Sequence, residues 1–476
     1  MPAGLEAQAN AGASEDEVSS VAEAVDVIHM LSENRHFHDL PYFQSCRSHH
    51  CPAGSFDVSG QDMARMLRCL EDLLDVPWFS RTWTVQEVVR AVDATVMRGP
   101  ISLPWRTLVT ACLNWVRHFD SCCHSCIFGL TIHDFDQLQR LFVQVIKLHH
   151  AKLQQRQDQA LHEILIDFQA KEATDPRDKI YGLLSLQSES RRVNLNPDYT
   201  LSVREVFVQA ATAMMQKEMW PLPLHCELEH DVSLRSWVPD WTRRTAESAA
   251  SMAARLECAV TYNAAPHLEG SVAVLCNDVL MVTAARFDIV VKVSSAHRWV
   301  KTLAEQLILV QEWYTFVDEN KGVQEEYVGG GAMEMAFNMS MLAGRYFVGD
   351  EFRHATMHDV ERLRQTWLET TQRLQEGPNA STTMDPDIHS QNIASLRRRM
   401  CVTAKGYVGL CPDAVTPGDD IFIVMDAPAP IFLRPCEPAE NAKIVLHRAL
   451  GHGYIHGLMD GEASRMNLDS TKLYIK

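Results

Sequence analysis

The stretch Asp75-Val76-Pro77-Trp78-Phe79-Ser80-Arg81-Thr82-Trp83-Thr84-Val85-Gln86-Glu87-Val88-Val89-Arg90-Ala91 decides how this chain is read. Three large aromatics, Trp78, Phe79 and Trp83, share a short segment with Arg81, Gln86 and Glu87, so apolar anchors sit beside polar groups that need partners. Just upstream, Met63, Met66, Leu67, Leu70, Leu73 and Leu74 recur at helical spacing and predict a helix with one buried stripe. Pro77 ends that helix, because it lacks an amide hydrogen and disfavours helical geometry in Val76. The chain restarts near Thr84, with Val85, Val88 and Val89 on one face, and runs into a short strand from Ala94 to Met97. The two Trp side chains are expected to wedge helix against strand.

Working outward, the sequence supplies 476 residues, 46% hydrophobic and 22% charged, enough for two or three domains. The formal charge of -17 argues against a general nucleic-acid binder, which needs clustered Lys and Arg. Arg397-Arg398-Arg399 is read as a solvated face. No run of apolar residues is long enough for a membrane span, and the N-terminus lacks a basic start followed by an apolar core, so a cytoplasmic protein is expected. Thirteen scattered cysteines fit reduced thiols better than disulfides.

A small, polar N-terminal segment (1–17) reads as disordered, and a helix follows from Val18, with Val21, Ala24, Val25, Ile28 and Leu31 on one stripe. Residues 32–60 read as a long loop, Pro104 to Arg117 as a helix, and 135–170 as amphipathic helices. Between them lies a patch with Cys122, Cys123, His124 and Cys126, flanked by His118 and His133. Cys123-x-x-Cys126 has the spacing of two zinc ligands, and Cys46, His49, His50 and Cys51 could add more, but no second tight knuckle accompanies it. Buried free thiols and no metal are the expectation.

Asp175-Pro176-Arg177-Asp178-Lys179-Ile180-Tyr181-Gly182 reads as a helix start, with Asp175 at the cap and Pro176 at the first helical position. Ser202 and Glu205 have capping-box spacing before a helix whose Val203, Val206, Phe207, Ala210, Ala211, Met214 and Met215 form a core stripe. In Ser236-Trp237-Val238-Pro239-Asp240-Trp241, the two Trp residues bracket a Pro as a rigid apolar clasp. Val279 to Val293 reads as strand, turn, strand, 298–317 and 332–375 as helices, and 376–387 as a linker. The segment 400–476 reads as β-rich, punctuated by Lys405-Gly406, Pro417-Gly418 and Gly451-His452-Gly453.

Several of these stretches resemble the heterokaryon incompatibility domain of filamentous fungi and the region that follows it. The resemblance rests on Trp78-Phe79, Arg81, Trp83 and Gln86-Glu87; on Arg177-Asp178-Lys179-Ile180-Tyr181-Gly182-Leu183-Leu184; on Trp237, Pro239 and Trp241; and on Gly409 and Gly457 within a closing β module. It runs from about residue 61 to 465. The domain's earlier strands, one like Leu-Ser-Tyr-Val-Trp-Gly, are not found in residues 1–74, so a truncated domain is expected.

The resemblance implies an α+β, mostly helical chain: a remnant of a Toll/interleukin-receptor-like α/β domain (18–120), a helical middle (121–245), and a C-terminal α+β region (246–476) with a β-rich module from about 400. It further implies a non-self recognition or cell-death-related factor acting through contacts with other proteins; from the charge and the apolar runs no nucleic acid and no membrane span are expected, and no cofactor is expected either. By analogy with Toll/interleukin-receptor folds that cleave NAD, Glu87 is a candidate catalytic residue of an NAD-cleaving hydrolase; the structural alternative is that Glu87 pairs with Arg81. A repurposed accessory or regulatory protein of a secondary-metabolite gene cluster is a third reading. The sequence shows no phosphate-binding loop, no Gly-x-Ser-x-Gly elbow and no His-Glu-x-x-His pair.

Overall fold

The computed structural model describes residues 15–40, 44–45, 56–57, 60–118, 122–123, 127–128, 132–154, 160–218, 234–242, 258–259, 261–265, 271–297, 303–320, 326–348, 351–376, 386–437 and 444–476. The chain divides into two units, one through Arg192 and one from Val193 to Lys476. It is mixed α+β.

The first unit is built on helices α1 (Glu15–Ser32), α2 (Gly60–Leu74), α3 (Pro77–Ser80) and α4 (Trp83–Arg90). Three short strands, β1 (Gln44–Ser45), β2 (Phe56–Asp57) and later β5 (Ile127–Phe128), form one small sheet, and β3 (Thr95–Arg98) pairs with β4 (Ile101–Pro104) as a hairpin. Helices α5 (Trp105–His118), α6 (Ile132–Gln154), α7 (Leu161–Asp167) and the one-turn α8 (Asp178–Tyr181) complete it. The helical stripes read from the sequence are its core: Val21, Ala24, Ile28 and Leu31 of α1 and Met66, Leu70 and Leu74 of α2 are almost fully buried. Pro77 does more than stop α2. It occupies the first turn of α3, where its missing N–H has no helical partner to lose.

The second unit opens with α9 (Val203–Glu218). Its capping box is complete: the Ser202 N–H donates to the Glu205 carboxylate at 2.8 Å, and the Glu205 N–H donates to Ser202 Oγ at 3.3 Å. Of the predicted stripe, Val206, Phe207, Ala210, Ala211, Met214 and Met215 are all buried. A strand β6 (Val272–Leu275) precedes β7 (Val279–Ala296), and the sequence expectation of two strands joined by a turn at 279–293 is corrected here. β7 is a single strand of 18 residues. The Arg286-Phe287-Asp288 interruption is a bulge: Phe422 opposes Arg286 and Ile421 opposes Asp288, so Phe287 is skipped in the ladder and its ring is buried against Tyr407. Asp288 accepts from the amides of Ile289 and Lys405, satisfying the local break.

Helix α10 (Leu303–Asn320) follows, and the predicted long helix over 332–375 is corrected to α11 (Met333–Met341), a hairpin of β8 (Arg345–Val348) and β9 (Glu351–His354), and α12 (Met357–Glu376). Ala343 and Gly344 take positive φ after α11 and end it, a turn that helical periodicity does not encode. Then come α13 (Pro386–Ser395) and strands β10 (Arg398–Thr403), β11 (Val408–Pro412), β12 (Asp420–Val424), β13 (Ile431–Pro435), β14 (Leu446–His452), β15 (Tyr454–Ile455) and β16 (Ser470–Ile475). The order β12-β13-β14-β16-β7 returns to β12, closing a five-stranded barrel without free edges, while β10, β11 and β15 extend from the far half of β7. The bulge lets one strand serve both sheets, since residues 280–289 face the barrel pairings and 290–296 face β10. Arg398 of the predicted solvated run is buried, donating to the His452 ring at 3.0 Å and to its carbonyl.

Candidate functional site

The Asp75–Ala91 motif and the Asp175–Leu184 motif meet in the first unit. Backbone comes first: the Thr82 N–H donates to the Glu172 carbonyl at 2.8 Å and the Glu172 N–H to the Ser80 carbonyl at 2.6 Å, so Arg81 and Glu172 form a parallel β-bridge. This bridge sets the register of the side chains. Trp83 Nε1 donates to the Asp178 carboxylate at 3.0 Å, Gln86 Nε2 to the Gly182 carbonyl, and Arg90 to the Ser185 carbonyl. A Cβ on Gly182 would lie 2.7 Å from the Asp178 carbonyl oxygen and 3.0 Å from Thr82 Cγ2, so the close approach requires glycine. Trp83 therefore packs beside Gly182 at the end of α8.

On the same face, Trp78 Nε1 donates to the Glu87 carboxylate at 2.9 Å. Glu87 is exposed and bonded to that indole, not paired with Arg81 as the structural alternative held; Arg81 takes part in the backbone bridge to Glu172. Phe79 is buried and stands edge-on to Trp78 at 5.0 Å, whereas Trp83 is 38% exposed. Asp175 caps a turn rather than a full helix, which also corrects the sequence reading: its carboxylate accepts from the Arg177 N–H at 3.0 Å and pairs with the Arg177 guanidinium at 2.7 Å, and Arg177 is the residue that precedes α8. That guanidinium holds the Asp175 carboxyl below its ordinary range. Tyr181 is buried.

Sequence reasoning missed Lys171 and read Lys179 only as part of the Asp175–Leu184 motif, without a role of its own. Both are buried, and each ammonium is spent on backbone carbonyls: Lys171 on Phe79, Lys179 on Lys171 and, at 2.7 Å, on Gln169. Burial, helped by the nearby Lys147 charge, pushes the Lys171 amine down to about 8. The signal available in the sequence was only that Lys171 lies four residues before Asp175, which says nothing about burial.

The remaining singled-out residues belong to the second unit. Trp237, Pro239 and Trp241 are buried. Trp237 Nε1 donates to the Asp278 carbonyl at 2.9 Å, Trp241 stands edge-on to Phe207 at 5.0 Å, and Ser236 Oγ accepts from the Ala449 amide at 2.9 Å. The predicted clasp thus ties α9 to the barrel. Gly409 lies where β11 meets β15, and a Cβ there would fall 1.9 Å from the Tyr454 carbonyl oxygen. Gly457 has φ +81°, and a Cβ there would fall 3.0 Å from the Gly329 Cα. Beside it His456 Nδ1 lies 2.9 Å from Tyr454 Oη, and burial lowers the His456 pKa despite the Glu462 and Asp460 charges. Cys46, His49, His50, Cys51, His124 and Cys126 lie outside the described residues. No described helix is long and apolar enough to cross a membrane.

Comparison with known proteins agrees with this geometry. Residues 370–472 match the model of the Het-6 beta-barrel domain. That segment supplies β10 to β15 and the first half of β16, but the closed ring also needs β7, which lies before it. The heterokaryon incompatibility protein 6, OR allele, of Neurospora crassa is 22% identical over 446 aligned residues, which take in 81% of this chain and 64% of that protein. The chain therefore spans slightly under two thirds of the length of this relative. No solved structure matches it significantly. The chain is similar to heterokaryon incompatibility proteins.

Proposed function

We propose that this chain is a heterokaryon-incompatibility-type protein, a cytoplasmic non-self recognition or cell-death-related factor that acts through contacts with other proteins. The observation that carries the reading is its likeness to heterokaryon incompatibility protein 6 over most of its length. Within the first unit, Trp83 and the Trp78–Glu87 pair offer partly exposed indole edges fixed by hydrogen bonds, and a rigid aromatic with a polar rim is the usual anchor of a protein contact. In this reading residues 18–120 are the edge of a Toll/interleukin-receptor-like domain and 121–245 the helical region behind it.

Expression in a filamentous fungus tests the proposal, with growth arrest as the readout. Arrest by the chain, or by the chain joined to the strands that precede the motif in the family, is the expected result. Normal growth with both, at verified protein levels, would sink it. An NAD-cleaving role for Glu87 is read in the same preparations: purified protein that releases nicotinamide, and loses that activity on Glu87→Ala, would replace the contact reading with a catalytic one.

A further inference from the structure

Four metal-ligating side chains converge at one end of α5 in the first unit: His36, His118, Cys122 and Cys123, whose ligand atoms all lie within 4.8 Å of one another. His118 is the last residue of α5, Cys122 and Cys123 follow one turn later, and His36 arrives from the turn after α1. Packing fixes that arrival. Asn114 Nδ2 donates to the Leu31 carbonyl at 2.9 Å, Phe37 stacks on Trp115 at 4.2 Å, and the His36 N–H is held by the Asp39 carboxylate at 3.2 Å.

Both imidazoles present Nδ1 to both sulfurs. His36 Nδ1 is 3.4 Å from Cys123 Sγ and 3.6 Å from Cys122 Sγ; His118 Nδ1 is 3.2 Å from Cys122 Sγ and 4.0 Å from Cys123 Sγ; the sulfurs are 3.5 Å apart. A thiol carries one hydrogen and can donate once, so this mesh of mutual contacts exceeds what two thiols satisfy as donors. It does match the edges of a tetrahedron around a cation. Zinc bonds of about 2.3 Å to sulfur and about 2.0–2.1 Å to nitrogen place sulfurs about 3.8 Å apart and nitrogen about 3.5 Å from sulfur.

We propose that His36, His118, Cys122 and Cys123 form a Cys2His2 site for a structural zinc ion. Two thiolates and two imidazoles are the donor set that selects zinc among the common divalent cations. His118 and Cys123 are buried while His36 and Cys122 are exposed, so the cation has a protein floor and a solvent-facing entry. The ion bridges three segments, the turn after α1, the end of α5 and the residues after it, and releases two protons as the thiols bind. The sequence expectation of buried free thiols without metal pointed elsewhere because it paired Cys123 with Cys126 by spacing; the fold pairs Cys123 with its neighbour Cys122 and with a histidine 87 positions away.

The test uses the full chain, purified without chelator from zinc-supplemented cells, with metal content, thiol count and intact mass measured together. One zinc per chain is expected, with cobalt exchange giving the thiolate charge-transfer band and visible absorption of a tetrahedral centre. His36→Ala and Cys122→Ser, both at exposed ligands, should weaken zinc binding by at least about tenfold, the loss that even an outer-shell change produces. These two variants keep the test decisive if Cys123→Ser fails to fold. Metal-free wild-type protein with reduced thiols would overturn the proposal. So would a mass two hydrogens light with the disulfide mapped to the Cys122–Cys123 peptide, or full zinc retention in His36→Ala and Cys122→Ser, marking a site elsewhere.

Discussion

The aromatic joint of the first unit and the barrel of the second use the same residue types for opposite purposes. In the joint, Trp78 and Trp83 keep their ring edges near solvent and act through their N–H groups, each ending on a carboxylate. In the barrel unit, Trp237 is fully buried and its N–H ends on a backbone carbonyl. Every residue of β11 and β12 is buried, so those strands are held by ladder and packing together. The joint is held instead by one β-bridge and a few side-chain bonds to backbone. A closed, buried module tolerates little change at any position, whereas a polar joint concentrates its stability in a few bonds and leaves its surface free to meet something else.

The largest expected effect lies on the barrel side. Gly409→Ala places a methyl 1.9 Å from the Tyr454 carbonyl oxygen, a clash with backbone that no rotamer relieves. A loss of about 3 kcal/mol or more is expected, with increased amide exchange over β11 and β15 and unchanged exchange in α3 and α4. Exchange that rises equally in both units would erase the contrast.

Next comes pH, where both regions gain stability as pH rises but in separate windows, alkaline for the joint and acid for the barrel. Lys171 titrates near 8 in the fold and near 10.4 when unfolded, so between those values the unfolded chain binds more protons and stability rises with pH. The joint should gain about 2 kcal/mol between pH 7 and 10, and Lys171→Met should remove the rise. In the barrel, burial raises the Asp420 pKa but hydrogen bonds from His447 and Arg286 outweigh it and hold the carboxyl below its ordinary value. A depressed carboxyl contributes above the unfolded value and loses its contribution as pH falls through the folded one, so β12 should loosen in acid. Local exchange measured at both extremes separates the two behaviours; a joint that weakens from pH 7 to 10 would contradict the Lys171 geometry.

Gly182→Ala is smaller, about 1–3 kcal/mol, because one of the atoms its methyl meets is the Thr82 side chain, which can shift. Gln86→Ala should cost about 1 kcal/mol, and adding it to Gly182→Ala should cost less than the sum, since both loosen the same bond to the Gly182 carbonyl. Full additivity in a double-mutant cycle would mean that the two motifs are not docked as described.

These particulars also mark how far the sequence could be read. Helical stripes such as Val206 to Met215 were legible because burial on one face repeats every three to four residues. The Ser202–Glu205 box was legible because its two bonds are local. What stayed hidden was set by partners far along the chain. Phe287 at the bulge has its place because Ile421 and Phe422 oppose it out of step, 134 positions on. Lys171 reads as a surface lysine until the fold buries it under Phe79. The two signature motifs were visible separately, but that Trp83 reaches Asp178 depends on a bridge between Arg81 and Glu172 that no local pattern announces.

The smallest effect on stability belongs to Trp83, and it bears most directly on function. Trp83→Phe removes one hydrogen bond to Asp178 at a site open to solvent, worth about 0.5 kcal/mol, and keeps most of the apolar contact over Gly182. The melting temperature and the exchange of the Gln86 and Thr82 amides should scarcely move. If the indole edge serves only the joint, growth arrest in the fungal assay should survive the substitution in proportion to the folded protein. If the edge is where a partner docks, arrest should be lost while folding is kept, because truncating an aromatic anchor at a contact costs about 2 kcal/mol or more there. The second outcome is expected, and it would assign the joint's exposed face, rather than its fold, as the feature that the proposed recognition role depends on.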